Sequence, residues 1–504
     1  MYDVLIIGAG IVGLTIARRL ARYRLRIAIV EKEPDVAMGA TKANSAIVHG
    51  GFAESHAKLK GRLCYKGRIQ FDRLNKELNF GFREIGSLVI TTNPDDLPAL
   101  EAMLANGQMN GLTDLRILGR EQILAREPHL NPDVQYALFC QGAGICSPYG
   151  MAIAMAENAI ANGSDLYLGE SVTAIIPQTD VSGNACSCAG SSKPVISVAT
   201  SSRTFLTRFV INCAGIDSES VAGLASCPQF SIHPRSGEYL LFERNTGSLV
   251  NSVIFQMPTR MGKGILVTPT VYGNLLLGPD AIDEVGGRDR STHAARLAGI
   301  YRQALLSAPD IDISKFIRSF TGVRAVSSTD DFIIEMSDRA GIVHVAGIQS
   351  PGVTAAPAIA DQVADLLEAA GLDLLPDPAY AAFRLPLPVD LNRRMVSMAE
   401  AARLAQLPDG PDRLVCRCEQ VAEQAINECL HRGMPVTTLD GIKRRTRASM
   451  GFCQGNFCRP RLLSLISEQG HPLLDSLTDA ERDGSVRVSK KELIACLRES
   501  DSSA

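Results

Sequence analysis

The sequence predicts an α/β protein in which a parallel sheet is interleaved with a second, antiparallel sheet, followed by a small helical C-terminal unit. Three observations predict it. From residue 1 to about 370, strand-like apolar runs alternate with helical patterns, as in "DVLIIGAG" then "IVGLTIARRLARY", which is the arrangement that builds a parallel sheet. Strand-like runs then cluster around 235–345, among them "YLLFER", "GNLLLGPD" and "GIVHVAGI", which argues for a second, more antiparallel sheet. A proline-rich stretch over 371–413, carrying one short helical pattern in "RRMVSMAEAARLA", reads as a linker to the last unit, 414–504.

At 504 residues the chain is too long for one core, so two or three domains are expected. With 46% hydrophobic residues and 51 basic against 54 acidic ones, neither nucleic acid nor a membrane surface is indicated as the main partner. No apolar run reaches the roughly 18–20 residues that cross a bilayer. A core strand begins within three residues of the N-terminus, which leaves no room for a cleavable leader and predicts a cytoplasmic protein, membrane-associated only through a partner. Thirteen cysteines without a secretion signal point to thiols or metal ligands rather than disulfides. Cys186 and Cys188, in the polar stretch "VSGNACSCAGSSKP", read as a hairpin insertion.

The first element is a nucleotide site. Gly8, Gly10 and Gly13 follow an apolar strand and open a helix in G-x-G-x-x-G spacing. Gly8 makes the tight turn, Gly10 admits a pyrophosphate to the backbone, and Gly13 lets helix and strand pack closely. The anion then faces the unpaired N–H groups of a helix N-terminus. Glu31 ends the second strand, 18 residues after Gly13, placed to accept from both ribose hydroxyls and to repel a 2′-phosphate, which disfavours NADP. These features make a Rossmann-like domain. The glycines alone do not separate FAD from NAD. The loop "GATKANSAIVHGGF" (39–52) does, because a small, polar, glycine-rich segment suits a backbone laid along an extended flavin nucleotide.

This loop, with "VINCAGI" (210–216) and "GIQSPGVTAAPAIADQV" (347–363), resembles the glycine oxidase and D-amino-acid oxidase superfamily of FAD enzymes. Within it the chain is most similar to the A subunits of anaerobic-type glycerol-3-phosphate dehydrogenases, with L-2-hydroxyglutarate oxidases as near relatives. The resemblance implies FAD-binding parts at about 1–80, 145–225 and 325–370 and a substrate domain at about 81–144 and 226–324. It implies Thr41, Lys42, Asn44 and Ser45 along the ribityl and pyrophosphate, and His49, Gly50 and Gly51 near the isoalloxazine. Val172, Ala214 and Gly215 would lie on the adenine side. Gly347, Ile348, Gly352, Val353 and Thr354 would form a helix N-terminus at the flavin N1/O2 edge, where it would stabilise charge left by hydride arrival.

Oxidising an alcohol or amine carbon requires a proton acceptor and an anchor. His49 is the first candidate for the acceptor, with His233 in "SIHPRSGEY" as the second, because imidazole titrates near working pH. The resemblance makes Arg324, in "SFTGVRAVSSTDD" and expected in a turn between strands, the anchor for a substrate anion. Its guanidinium fork binds carboxylate and phosphate alike. Arg235, Tyr239, Lys263 and Tyr149 are candidates to complete the pocket.

Cys416 and Cys418 form a C-x-C and Cys453 and Cys458 a C-x4-C, with 34 residues between the pairs. Neither is the C-x2-C of most zinc knuckles, although a structural zinc remains an alternative. The first pair resembles that of the small [2Fe–2S] domain related to bacterioferritin-associated ferredoxin, which most often closes with C-x2-C; the longer C-x4-C resembles the variant appended to the dehydrogenase subunits just named. A cluster on four thiolates carries about −2 charge, and the basic run "KRRTR" (443–447) would stabilise it. Cys429, within an apolar helical pattern, reads as core.

The expected activity is therefore an FAD-dependent dehydrogenase of an anionic hydroxy substrate, sn-glycerol 3-phosphate first. Electrons would pass to the cluster and then to a further flavin or iron–sulfur subunit leading to quinone. L-2-hydroxyglutarate, amino or opine acids as substrates, and a non-catalytic electron-transfer subunit, are the alternatives.

Overall fold

A computed structural model describes residues 1–177, 195–226, 230–258, 264–283, 289–339, 341–384, 395–468, 481 and 483–501. Cys186, Cys188 and Lys263 lie outside these residues.

The N-terminal strand Tyr2–Ile7 sits inside an eight-stranded sheet, parallel to Ile27–Glu31 on one side and Thr204–Asn212 on the other. Asp165–Leu168 extends the parallel part beyond Ile27–Glu31, and Ile342–Ala346 extends it beyond Thr204–Asn212. Both faces are covered, so these strands are apolar throughout rather than alternating. Val4, Ile6, Ile27, Ile29 and Ile211 pack toward the Ile11–Leu20, Pro148–Ala161 and Gly352–Ala369 helices. Their neighbours Leu5, Ile7, Ala28, Val30 and Val210 fill a second core on the opposite face. Three stretches far apart in sequence thus meet in one nucleotide-binding half.

The intervening segments build a nine-stranded, mainly antiparallel sheet. Its longest strands, Ile232–Arg244 and Phe316–Ser327, pair along most of their length. Alternation decides their faces. Leu240 and Phe242 enter a core with Phe316, Leu297 and Ile300, whereas Tyr239 and Leu241 face a large cavity. The interleaved α/β architecture expected from the strand pattern is thus observed.

Several local expectations change. Arg324 is not in a turn: it lies within Phe316–Ser327, directly opposite Arg235. Residues 371–384 are not a loose tether. The Arg24 N–H donates to the Leu375 carbonyl, and the Asn158 and Asn162 side chains donate to the Ala381 carbonyl, so this stretch is fastened along the first half. The short linker helix is Met398–Leu404, N-capped by Ser397. The terminal helix, Lys490–Asp501, leaves the cysteine unit: Leu493 is fully buried in the antiparallel-sheet core beside Leu297.

The cysteine unit has its own core, in which Val421, Ile426, Ile442, Leu462 and Ile466 join the Glu423–Leu430, Leu439–Thr446 and Arg459–Glu468 helices. Its basic run does not face solvent. Arg444 and Arg445 both clamp Asp35, at 2.7–2.9 Å, just beyond the Ile27–Glu31 strand. Arg432 pairs with Glu157 of the Pro148–Ala161 helix at 3.2 Å. The unit is docked on the nucleotide-binding half by buried ion pairs.

Candidate functional site

A cavity of about 1350 Å³ runs from the glycine-rich turn, past the antiparallel sheet, to the wall formed by the cysteine unit. At its nucleotide end, Gly8 has φ +102°, and an added Cβ would press on the Cys213 carbonyl, so only glycine fits this turn. A Cβ on Gly13 would overlap the Gly8 carbonyl, so this position brings helix and strand together and does not line the cavity. The N-terminus of the Ile11–Leu20 helix has no side-chain cap at Gly10. Thr41 Oγ1 accepts from the Ile11 N–H at 3.0 Å, fixing the next loop across the helix start. The Glu31 carboxylate accepts from the Ala9 and Glu33 N–H groups at 2.7 and 3.0 Å, and burial pushes its pKa up against their pull. It thus lies at the turn where a ribose would sit.

Lys42, Asn44 and Ser45 line the cavity, as do Val172, Ala214 and Gly215. Asn44 also braces its own loop, donating to the Thr41 carbonyl and accepting from the Ala46 N–H. Gly50 and Gly51 are buried behind the lining, Gly50 against Cys140 and Gly51, at φ +120°, against Tyr65. Ile348, Gly352 and Val353 line the cavity at the start of the Gly352–Ala369 helix, whose N-terminus has no side-chain cap. Gly347 turns the chain into that helix at φ +64°. Thr354 is buried, and its Oγ1 accepts the His49 N–H at 2.9 Å. This bond ties the helix start to the histidine.

His49 lines the cavity, 9% exposed, with its ring 5.6 Å from that of Phe255. His233, at the start of the Ile232–Arg244 strand, is exposed and lies outside the cavity lining. Arg324 lies across Gly237, where a Cβ would meet its Nη2, and Nη2 donates to the Asp280 carbonyl at 3.0 Å. Among the described residues it forms no ion pair, so its charge is available to the cavity. Arg235, in contrast, is paired with Asp283 at 2.6 Å. Tyr239 stacks on Phe320 with ring centroids 4.7 Å apart, continuing the same face.

Of the other lining groups, Tyr149 is a candidate from the sequence, whereas Lys60 and Tyr272 carry no local sequence signal. Lys60, 6% exposed, reaches Glu54 at 3.3 Å and Asp330 at 3.4 Å. Tyr272 donates to Ser147 Oγ at 3.1 Å, and Tyr149 reaches Met450 Sδ at 3.7 Å. Only their distant partners give them a role.

The four cysteines of the last unit converge in two pairs. Cys418 and Cys453 have sulfurs 3.4 Å apart and are partly exposed, whereas Cys416 and Cys458 are buried. The hydrogen bond from Cys416 pulls the Cys458 thiol down and pushes Cys416 up, which favours the thiolate of Cys458, the form that ligates iron. A Cβ on Gly451 would overlap Cys418, and Arg447, Ser449 and Gln454 all adopt positive φ in the loop around the sulfurs. No three His, Cys, Asp or Glu side chains among the described residues form a single-ion site. Four thiols gathered by a tight loop are the donor set that a thiolate-bound cluster requires.

Residues 3–366 match the family model of FAD dependent oxidoreductases. The chain belongs to that family. Residues 414–468 match the BFD-like [2Fe-2S] binding domain. The cofactors are accordingly FAD and a [2Fe–2S] cluster, in agreement with the uncapped helix starts, the glycine cradle and the four thiols. A glycerol 3-phosphate dehydrogenase of Caloramator mitchellensis is 37% identical over 96% of this chain and 97% of its own. A glycerol 3-phosphate oxidase of Mycoplasma pneumoniae is 30% identical over 72% of this chain and 94% of its own. The solved FAD-bound L-alpha-glycerophosphate oxidase from Mycoplasma pneumoniae superposes with a TM-score of 0.70 at 29% identity, over 76% of this chain and 99% of its own. This FAD-dependent oxidoreductase has no described helix long and apolar enough to cross a membrane.

Proposed function

We propose that the chain oxidises sn-glycerol 3-phosphate to dihydroxyacetone phosphate and passes the electrons through its cluster to a separate redox subunit. The similarity of both its units together to a glycerol 3-phosphate dehydrogenase carries this reading. FAD, when bound, supplies the hydride acceptor for the carbinol carbon. Arg324, charged and held by a backbone carbonyl, anchors the substrate anion with its remaining N–H groups. His49 takes the hydroxyl proton, its backbone fixed to Thr354 and its ring to Phe255. The uncapped start of the Gly352–Ala369 helix stabilises negative charge at the N1/O2 edge of the flavin. Thr41, Lys42, Asn44, Ser45 and the glycines of the first turn hold the nucleotide.

The acceptor subunit docks where the cluster is accessible. Phe452 and Phe457, 56% and 73% exposed, lie in the loop that carries the partly exposed Cys453. Such a subunit would lead to the quinone pool and supply any attachment to the membrane.

Anaerobic titration with sn-glycerol 3-phosphate, followed by flavin absorbance and by EPR of the reduced cluster, tests the reading. Bleaching with appearance of the cluster signal is expected. Bleaching by L-2-hydroxyglutarate or an amino acid instead would refute the substrate, and no bleaching with any of them would refute the catalytic role.

A further inference from the structure

The basic run of the last unit is divided between two tasks. Arg444 and Arg445 dock the unit through Asp35, whereas Arg447 turns the other way. It follows the Leu439–Thr446 helix at φ +69°, a conformation that favours glycine and strains an arginine. That backbone places a buried guanidinium between the flavin cavity and the cysteine loops. Its Nε donates at 2.8 Å to Glu419, the neighbour of Cys418, and the guanidinium carbon lies 3.8 Å from the centroid of the Tyr272 ring, a wall of the cavity. Two residues on, Ser449 Oγ lies 3.1 Å from Cys458 Sγ. Glu419, 2% exposed, is also within 3.5 Å of Arg244, so two guanidiniums reach this carboxylate.

We propose that Arg447 is a positioning residue that presses the cysteine loops against the wall of the flavin cavity and sets how readily the cluster accepts an electron. Each arriving electron takes the thiolate-bound cluster from about −2 to about −3, so a fixed cation at its edge favours the reduced form. The electron comes from the reduced flavin and leaves to a one-electron acceptor outside the chain. Glycine would adopt this backbone more easily but would bring no charge. This role rests on the reading that electrons pass from FAD to the cluster.

The test is a redox titration of the holoenzyme with dithionite and mediator dyes, without substrate, reading the cluster by EPR. Arg447→Gly relieves the backbone and removes the charge. It leaves the buried Glu419 with Arg244 at 3.5 Å, so some loss of stability is expected, and the equilibrium constant for cluster reduction should fall by about tenfold or more. Arg447→Lys, which keeps the charge but loses the fork and the stacking, should fall between. Glu419→Gln should move the equilibrium the opposite way. If R447G leaves the titration unchanged, or if R447G and E419Q shift it in the same direction as mere loosening of the loop would, the proposal fails. Because no substrate is used, that failure is distinct from a failure of glycerol 3-phosphate to bleach the flavin.

Discussion

Replacing Asp35 by Asn should undock the [2Fe–2S] unit from the nucleotide-binding half. The carboxylate is 2% exposed and receives bonds from Arg444 Nη2 at 2.7 Å and from Arg445 Nη1 and Nη2 at 2.9 and 2.8 Å. Removing one partner of a buried ion pair typically costs about 3–5 kcal/mol, because the remaining charge is left uncompensated. Here two guanidiniums would be left. The other acid at this interface, Glu157, already serves Arg432 at 3.2 Å and Arg384 at 3.4 Å. Arg384 shows the strain of that environment, its pKa pushed down to about 10 by burial. Asparagine keeps the shape and one acceptor oxygen, so the lower figure applies, about 3 kcal/mol or somewhat more than a hundredfold in the docking equilibrium. Hydrogen exchange of the amides in the Leu439–Thr446 helix reads that equilibrium, and their rates should rise by about two orders of magnitude. A rise of less than about threefold would refute the clamp. The pH dependence has a definite sign. Burial alone would raise the Asp35 carboxyl, but Arg445 and Arg444 outweigh it and hold it well below the usual carboxylate range. A depressed folded-state value contributes stability above the unfolded value, near 3.9, and loses it only as the pH falls through the folded one. Protection of this helix should therefore stay constant from pH 8 to about 5 in the parent protein as far as Asp35 is concerned.

Four further outcomes are expected. His49→Asn should retain FAD but slow bleaching by substrate about 10²- to 10⁴-fold in stopped flow, the usual loss of a general base. Arg324→Lys keeps the charge and loses the fork, worth about 1.5–3 kcal/mol, so KM for the anionic substrate should rise about 10- to 100-fold with a smaller change in kcat. Cys418→Ser should abolish the cluster EPR signal while flavin bleaching and FAD content persist, since the Asp35 clamp does not pass through the thiols. Gly13→Ala, whose Cβ would overlap the Gly8 carbonyl, should lose FAD on gel filtration.

The features legible in the sequence were those whose physics is local. The glycine turn, the strand before it and Glu31 are close neighbours along the chain, so spacing alone specifies what they can hold. Cysteine spacing works in the same way. Arg324 could be expected in the site only through likeness to a family, and its backbone setting differs from expectation, because a polar, glycine-bearing run reads as a turn until Ile232–Arg244 is known to pair with it. Lys60 and Tyr272 carry no sequence signal, because each owes its place to a partner far along the chain, Asp330 for Lys60 and Ser147 for Tyr272; Arg447 shows in the sequence only as part of a basic run, and its contact with Tyr272 sets it apart.

The basic run separates what composition specifies from what folding specifies. As composition it offers five residues of which four are cationic, near a cluster that needs cations. A helix rotates about 100° per residue, so adjacent arginines cannot all address the same neighbour. Arg444 and Arg445 share an acid 409 and 410 positions away, Lys443 pairs with Asp440 of its own helix and lines the cavity, and Arg447 lies past the helix end where the backbone reverses hand. The charge of the run is a property of the sequence, whereas its division between docking and tuning is a property of the fold. That division makes the two functions separable by mutation: D35N should loosen the interface, and R447G should change the cluster while the clamp holds.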